Sequence, residues 1–188
     1  MVEENLALFA RNLVVGYREP VAGPLDLELD RGELLLLTGK NGSGKTTFLK
    51  TTAGLLKPLR GSIEAPGAIL LPTRIPKVKG FTVNEFLKIS KAVAGLSYVE
   101  QLGLAGYENK DISTLSDGQF QKVCICAALG SGKTLILLDE PTAFLDSSSR
   151  ESLLKTLKSI TSGKKVSVII ASHDVADCQP FCTKTLEF

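Results

Sequence analysis

Leu34-Leu35-Leu36-Leu37-Thr38-Gly39-Lys40-Asn41-Gly42-Ser43-Gly44-Lys45-Thr46-Thr47 is an apolar run that breaks into a glycine-rich loop, with a helical pattern beginning at the lysine. The spacing of Gly39, Gly44, Lys45 and Thr46 fits the phosphate-binding loop. Glycines allow a tight backbone turn whose N–H groups converge on one point. The helix after the loop directs its positive end at the same point. Lys45 adds a charge for the β- and γ-phosphates, and the Thr46 hydroxyl is a candidate Mg²⁺ ligand. Asn41, Gly42, Ser43 and Thr47 complete the set of candidate nucleotide contacts.

Working outward, Leu6 to Val15 alternates loosely and predicts a first strand. Leu25, Leu27 and Leu29 alternate with Asp26, Glu28 and Asp30, as in a half-buried strand, and Asp30-Arg31-Gly32-Glu33 then turns the chain. Glu33 to Thr38 is too apolar to alternate, which predicts a central strand covered on both faces. The helix from Lys45 is expected to end near Gly54. Gly61 to Ala65 and Ala68 to Leu71 are short strands, and Pro72 to Gly80 is a loop. Val83 to Ala94 reads as a helix with Phe86, Leu87 and Ile89 on one side, and Leu96 to Leu104 as a weaker one. Ser116 caps a helix over Asp117 to Leu129. Thr134 to Leu138 and Val166 to Ala171 are buried strands. Between them Leu153, Leu154, Leu157 and Ile160 recur at helical spacing, with Gly163 closing that helix. Thr183 to Phe188 is a last edge strand. Strands alternating with helices imply an α/β fold with a mostly parallel sheet wrapped by helices.

The 188 residues are one domain, with room for a real core. Net charge is +2 and the basic residues are scattered, so nothing points to nucleic acid as a partner. The absence of a bilayer-length apolar run and of a signal peptide gives the expectation of a soluble, intracellular chain. A slightly positive mean hydropathy suggests that a partner covers part of the surface. Cys124 and Cys126 are two apart in a helical pattern and point to different sides, while Cys178 and Cys182 are separated by Pro180. With no Cys-x-x-Cys pair, the four read as buried free thiols. Gly130-Ser131-Gly132-Lys133-Thr134 imitates a second phosphate loop, but it leads from a helix into a strand, and Ala127 stands where its first glycine belongs. It reads as a helix end and turn.

Leu135-Ile136-Leu137-Leu138-Asp139-Glu140 is an apolar strand ending in two carboxylates. In open α/β sheets that end is where ligands bind. Asp139 is placed to hold Mg²⁺ through water and Glu140 to polarise a water for attack on a γ-phosphate.

Leu115-Ser116-Asp117-Gly118-Gln119, taken with these two motifs, resembles the signature of the ABC ATPases, usually Leu-Ser-Gly-Gly-Gln. The resemblance covers nearly the whole chain, in the family's order. Asp139-Glu140-Pro141-Thr142 resembles the extended Walker B, Ala143-Phe144-Leu145-Asp146 the D-loop, and Ser172-His173-Asp174 the switch-histidine motif. Tyr17 resembles the aromatic that stacks on adenine, with a core tyrosine as the competing reading. The resemblance implies a P-loop NTPase core with an antiparallel β subdomain and a helical insertion at about 74–114. It implies a Mg²⁺-dependent ATPase with Glu140, His173 and Lys45 catalytic. The nucleotide is then shared between two ATPase subunits, with Ser116, Gly118, Gln119 and Asp146 closing the partner's site. It further implies a transmembrane permease subunit and a peripheral place on the cytoplasmic face of a membrane. A soluble ABC ATPase of DNA repair, translation or cluster assembly is the alternative. Three departures from the pattern stand out. Thr73 follows Leu71-Pro72 where the family has a glutamine that helps bind Mg²⁺, so Thr73 is the candidate metal ligand there. Asp117 replaces a signature glycine and brings a negative charge toward the expected γ-phosphate. The insertion is short and nothing comes after Phe188, which suggests a core without a C-terminal regulatory domain.

Overall fold

The computed structural model describes residues 5–163 and 166–188. In chain order the elements are β1 (Leu6–Gly16), β2 (Pro20–Asp30), β3 (Leu34–Thr38), α1 (Lys45–Thr52), β4 (Arg60–Glu64) and β5 (Ala68–Leu71). Next come α2 (Val83–Ile89), α3 (Leu96–Val99), α4 (Asp117–Gly130), β6 (Leu135–Asp139), α5 (Ser147–Ser162), β7 (Ser167–Ala171), α6 (Val175–Cys178) and β8 (Lys184–Glu187).

Two patterns of hydrophobicity make two sheets. The alternating segments form an antiparallel sheet in the order β2-β1-β4. On β2, Leu29 is buried and Leu25 and Leu27 half-buried, while Asp26, Glu28 and Asp30 face water. The continuous apolar runs form a parallel sheet in the order β5-β6-β7-β3-β8. Every residue of β3, β6 and β7 is buried because both faces are covered. Leu34, Leu36, Ile136, Leu138, Val168 and Ile170 point to the face packed by α4 and α5, where Leu153, Leu154 and Leu157 meet them. Leu35, Leu37, Leu135, Leu137 and Ile169 point to the other, against Phe48 and Leu49 of α1 and Leu8 and Leu13 of β1. Each such leucine contributes about 1.5–3 kcal/mol of burial.

The insertion is less helical than its sequence suggests. The helix expected over Val83 to Ala94 stops at Ile89, and Lys91 takes a left-handed φ of 53°. Val83 and Leu87, four apart, are the buried pair; Phe86 is half-buried and Ile89 is 64% exposed. Ile89 therefore does not share the buried side: two positions from Leu87 carry it around the helix. The helix expected over Leu96 to Leu104 is only Leu96–Val99, followed by turns. The second glycine-rich stretch is a helix end: Ser131 caps α4 and Gly132 turns into β6 at φ 74°.

All four cysteines are free; Cys124, Cys126 and Cys178 are buried and Cys182 is half-buried. Cys124 and Cys126 lie in one apolar cluster although they sit on different sides of α4, because that helix is buried almost all round. Burial pushes both thiols up to about 12, so they are inert at neutral pH. Among the described residues no group of three His, Cys, Asp or Glu side chains is placed to hold a metal, and no helix is long and apolar enough to cross a membrane.

Candidate active site

Parallel pairing sets the site. Leu37 of β3 and Asp139 of β6 both stand level with Ala171 of β7. The three strands therefore end together, and the residues beyond their ends converge on the same sheet edge. From β3 comes the phosphate loop, from β6 Glu140, and from β7 Ser172 and His173. Ser172 N–H donates to the Leu37 carbonyl at 3.1 Å, which ties two of these exits directly.

Gly44 is the N-cap of α1 at φ 108°, a conformation that L side chains rarely adopt. Gly39 and Gly42 also have positive φ. The first turn of α1 holds no acidic residue, so its positive end is uncompensated. Lys45 is 7% exposed. Its ammonium donates to the carbonyls of Gly39 at 2.7 Å and Lys40 at 3.0 Å, which folds it back over the loop. Thr46 Oγ1 donates to Asp139 Oδ2 at 3.0 Å, with Oδ1 at 3.2 Å.

Glu140 has a left-handed φ of 50°. Its N–H donates to the Ala171 carbonyl at 2.9 Å, and its carbonyl accepts from Ala143 N–H at 3.2 Å, so the turn is held at both ends. Its carboxylate meets His173, with Oε2 2.9 Å from Nδ1. The glutamate side chain is 18% exposed and the imidazole 57%. The hydrogen bond to Glu140, then its charge, hold the His173 pKa above the ordinary imidazole range. Such a pair stabilises fully below the unfolded imidazole's pKa, and that contribution is lost as pH rises through the raised folded value. His173 is the only histidine, so its ring protons give one titration curve by NMR. The midpoint should lie above that of free imidazole and fall back toward it in Glu140→Gln; a midpoint at or below the free value would rule out the pair.

The remaining expected residues lie in two places. Tyr17, 58% exposed, projects from the end of β1, which excludes a core role. Its hydroxyl accepts from Lys50 Nζ of α1 at 3.1 Å, so the ring is anchored beside the phosphate-loop helix. Asn41, Ser43 and Thr47 lie in the loop and in α1. The signature stands apart: among the described residues no hydrogen bond or ion pair links it to the phosphate loop. Ser116 Oγ accepts from Gln119 N–H at 3.1 Å, and Gln119 Oε1 accepts from Ser116 N–H at 2.9 Å, a reciprocal cap on α4. Gln119 also donates to the Tyr107 hydroxyl at 3.0 Å. Gly118 is needed for close approach, since a Cβ there would sit 2.6 Å from the Phe144 carbonyl oxygen. Asp146 caps α5, its carboxylate accepting from Ser149 N–H and the Ser148 hydroxyl at 2.8 Å each. These bonds hold its pKa at about 2. Thr73 makes no hydrogen bond to Thr46 or Asp139 and lines a cleft with Asp117 and Phe144. One residue there is not foreseeable from the sequence. Lys77 pairs with Asp117 at 2.6 Å, and the acidic residue in the signature is the only hint that a cation is needed.

The loop suits a polyphosphate. Among the described residues Ser43 Oγ is buried without a partner, and a Cβ on Gly42 would meet nothing within 4 Å. Among the described residues the Lys45 ammonium hydrogen-bonds only to neutral carbonyls. The Thr46 hydroxyl and the Asp139 carboxylate are hard oxygen donors of the kind Mg²⁺ takes.

Residues 22–143 match the family model described as ABC transporter. The chain is 34% identical to an uncharacterised ABC transporter ATP-binding protein, YfmM, of Bacillus subtilis, over 97% of this chain and 38% of that one. It is 35% identical to the cytochrome c biogenesis ATP-binding export protein CcmA of Bordetella parapertussis, over 96% of this chain and 89% of that one. A Pyrococcus furiosus structure described as an ABC transporter ATP-binding protein superposes with a TM-score of 0.85 at 27% identity, covering 96% of each chain. The chain thus spans well under half of the Bacillus relative and nearly all of the Bordetella one.

Proposed function

The chain belongs to the ABC transporter family, and on that footing we propose that it is the ATP-binding and ATP-hydrolysing subunit of a membrane transporter. The observation that carries the activity is the meeting of Lys45, Thr46 and Asp139 with the Glu140–His173 pair at one sheet edge.

Each residue has a distinct task in that reading. The phosphate loop and Lys45 bind the β- and γ-phosphates, and Tyr17 offers its exposed face to the adenine. Thr46 and Asp139 hold Mg²⁺, which when bound offsets phosphate charge. Glu140 takes a proton from the attacking water as its oxygen bonds to the γ-phosphorus. The bond from that phosphorus to the bridging oxygen breaks, and ADP and phosphate leave. His173 orients the Glu140 carboxylate through the 2.9 Å contact. Ser116 and the N-terminus of α4 stand apart from their own loop and are open to close the loop of a second subunit, while Gly118, buried against Phe144, lets that turn sit close to the loop before α5. Docking on a permease through the insertion at 74–114 gives the chain a peripheral place on the cytoplasmic membrane face. The names of the relatives, all ATP-binding components, support transport over the soluble alternative.

Phosphate release by the full chain tests the reading. It should depend on ATP and fall to background when divalent cations are chelated. A rate that chelation leaves unchanged, or one no greater than that of Lys45→Ala, would exclude the assignment.

A further inference from the structure

Thr73 and Asp117, two of the departures from the family pattern, line one cleft of about 640 Å³ with Lys77, Phe120, Gln121 and Phe144. One wall is the loop leaving β5, and the other is the first turn of α4. Lys77 spans it. Its ammonium lies 2.6 Å from Asp117 Oδ1 and donates to the Leu115 carbonyl at 2.7 Å. The lysine side chain is 25% exposed and the aspartate side chain 69%, so the pair is held from the loop side and open on the α4 side.

Asp117 is the first residue of α4, directly after the Ser116 cap. A carboxylate there suits the helix's positive end. It does not suit an approaching phosphate, because two anions repel and a carboxylate offers no donor. Lys77 meets both difficulties. It returns the turn to neutrality, and by holding the Leu115 carbonyl it fixes the residue just before the cap.

We infer that Lys77 is a positioning residue of the signature: it neutralises Asp117 and anchors the turn, so that the acidic signature still admits a nucleotide phosphate. The inference rests on the shared-site reading of the function. Lys77 sits on the loop that continues from β5, whose neighbour β6 carries Asp139, so the sheet edge and the signature turn are joined through one side chain.

The test uses full-length Glu140→Gln as parent and reads the ATP concentration that half-assembles the dimer, by size exclusion with light scattering, beside each variant's melting temperature. Lys77→Gln keeps a donor for Leu115 but removes the charge. It should need about tenfold more ATP than the parent, more so at low salt, with little change in melting temperature. Lys77→Arg should stay near the parent. In an Asp117→Gly background, Lys77→Gln should cost no more than about twofold. An unchanged midpoint in Lys77→Gln, an equal loss with and without Asp117, or a loss that tracks melting temperature overturns the inference and leaves the shared site standing. A parent that stays monomeric at saturating ATP removes the shared site, and this inference with it.

Discussion

With Glu140 as the proposed base, Glu140→Gln should hydrolyse ATP about a thousandfold more slowly than the parent chain, in the range lost with a positioned general base, and should keep its ATP affinity. Glutamine has nearly the same shape and can still bond His173, so the pocket survives. It cannot take a proton from water at neutral pH. Product therefore forms only slowly, and a state that hydrolysis would normally end persists. If the signature of one subunit closes the phosphate loop of another, that state is a dimer bridged by ATP. Size exclusion with light scattering should show the variant shifting from monomer to dimer on adding ATP, and the parent shifting only transiently. A variant that still turns over at more than a tenth of the parent rate would mean that another group is the base.

Lys45→Ala is the second large effect. The ammonium is nearly buried, and its bonds to Gly39 and Lys40 hold it over the loop rather than out in solvent. Charge-assisted hydrogen bonds of this kind contribute about 1.5–3 kcal/mol each, so ATP affinity should fall by about a hundredfold. The fold should persist, since α1 keeps Phe48 and Leu49 in the core. Calorimetric titration with ATP measures the loss, and affinity within a factor of about three of the parent, roughly 0.6 kcal/mol, would remove Lys45 from the site.

The parallel sheet was legible because its strands are buried on both faces and so appear as unbroken leucine and isoleucine runs, which few other structures need. The phosphate loop was legible because its backbone geometry demands glycine at fixed positions. The Ser116 cap on α4 is equally local, while the reciprocal bond from Gln119 is seen only in the structure. The insertion was harder. Val83 to Ala94 carries a plausible helical pattern, but Lys91 turns left-handed after Ile89 and Ala92 packs instead at the start of a separate turn. Nothing in the periodicity marks that break, because the packing that imposes it comes from α4, far along the chain. Lys77 was illegible for the same reason: forty positions separate it from Asp117. The proximity of Glu140 and His173 has a simpler cause, since two parallel strands of matched register bring their ends together whatever lies between them in sequence.

Glu140 also bears on how this chain can change over generations. A φ of 50° is where glycine is most at ease, and a branched or long side chain pays roughly 1–2 kcal/mol to stand there. Selection for thermal robustness alone would therefore replace this residue, whereas the base role proposed for it would favour keeping it. On that proposal the position is a point of conflict between the two pressures, and the carboxylate persists there only while hydrolysis outweighs a firmer fold.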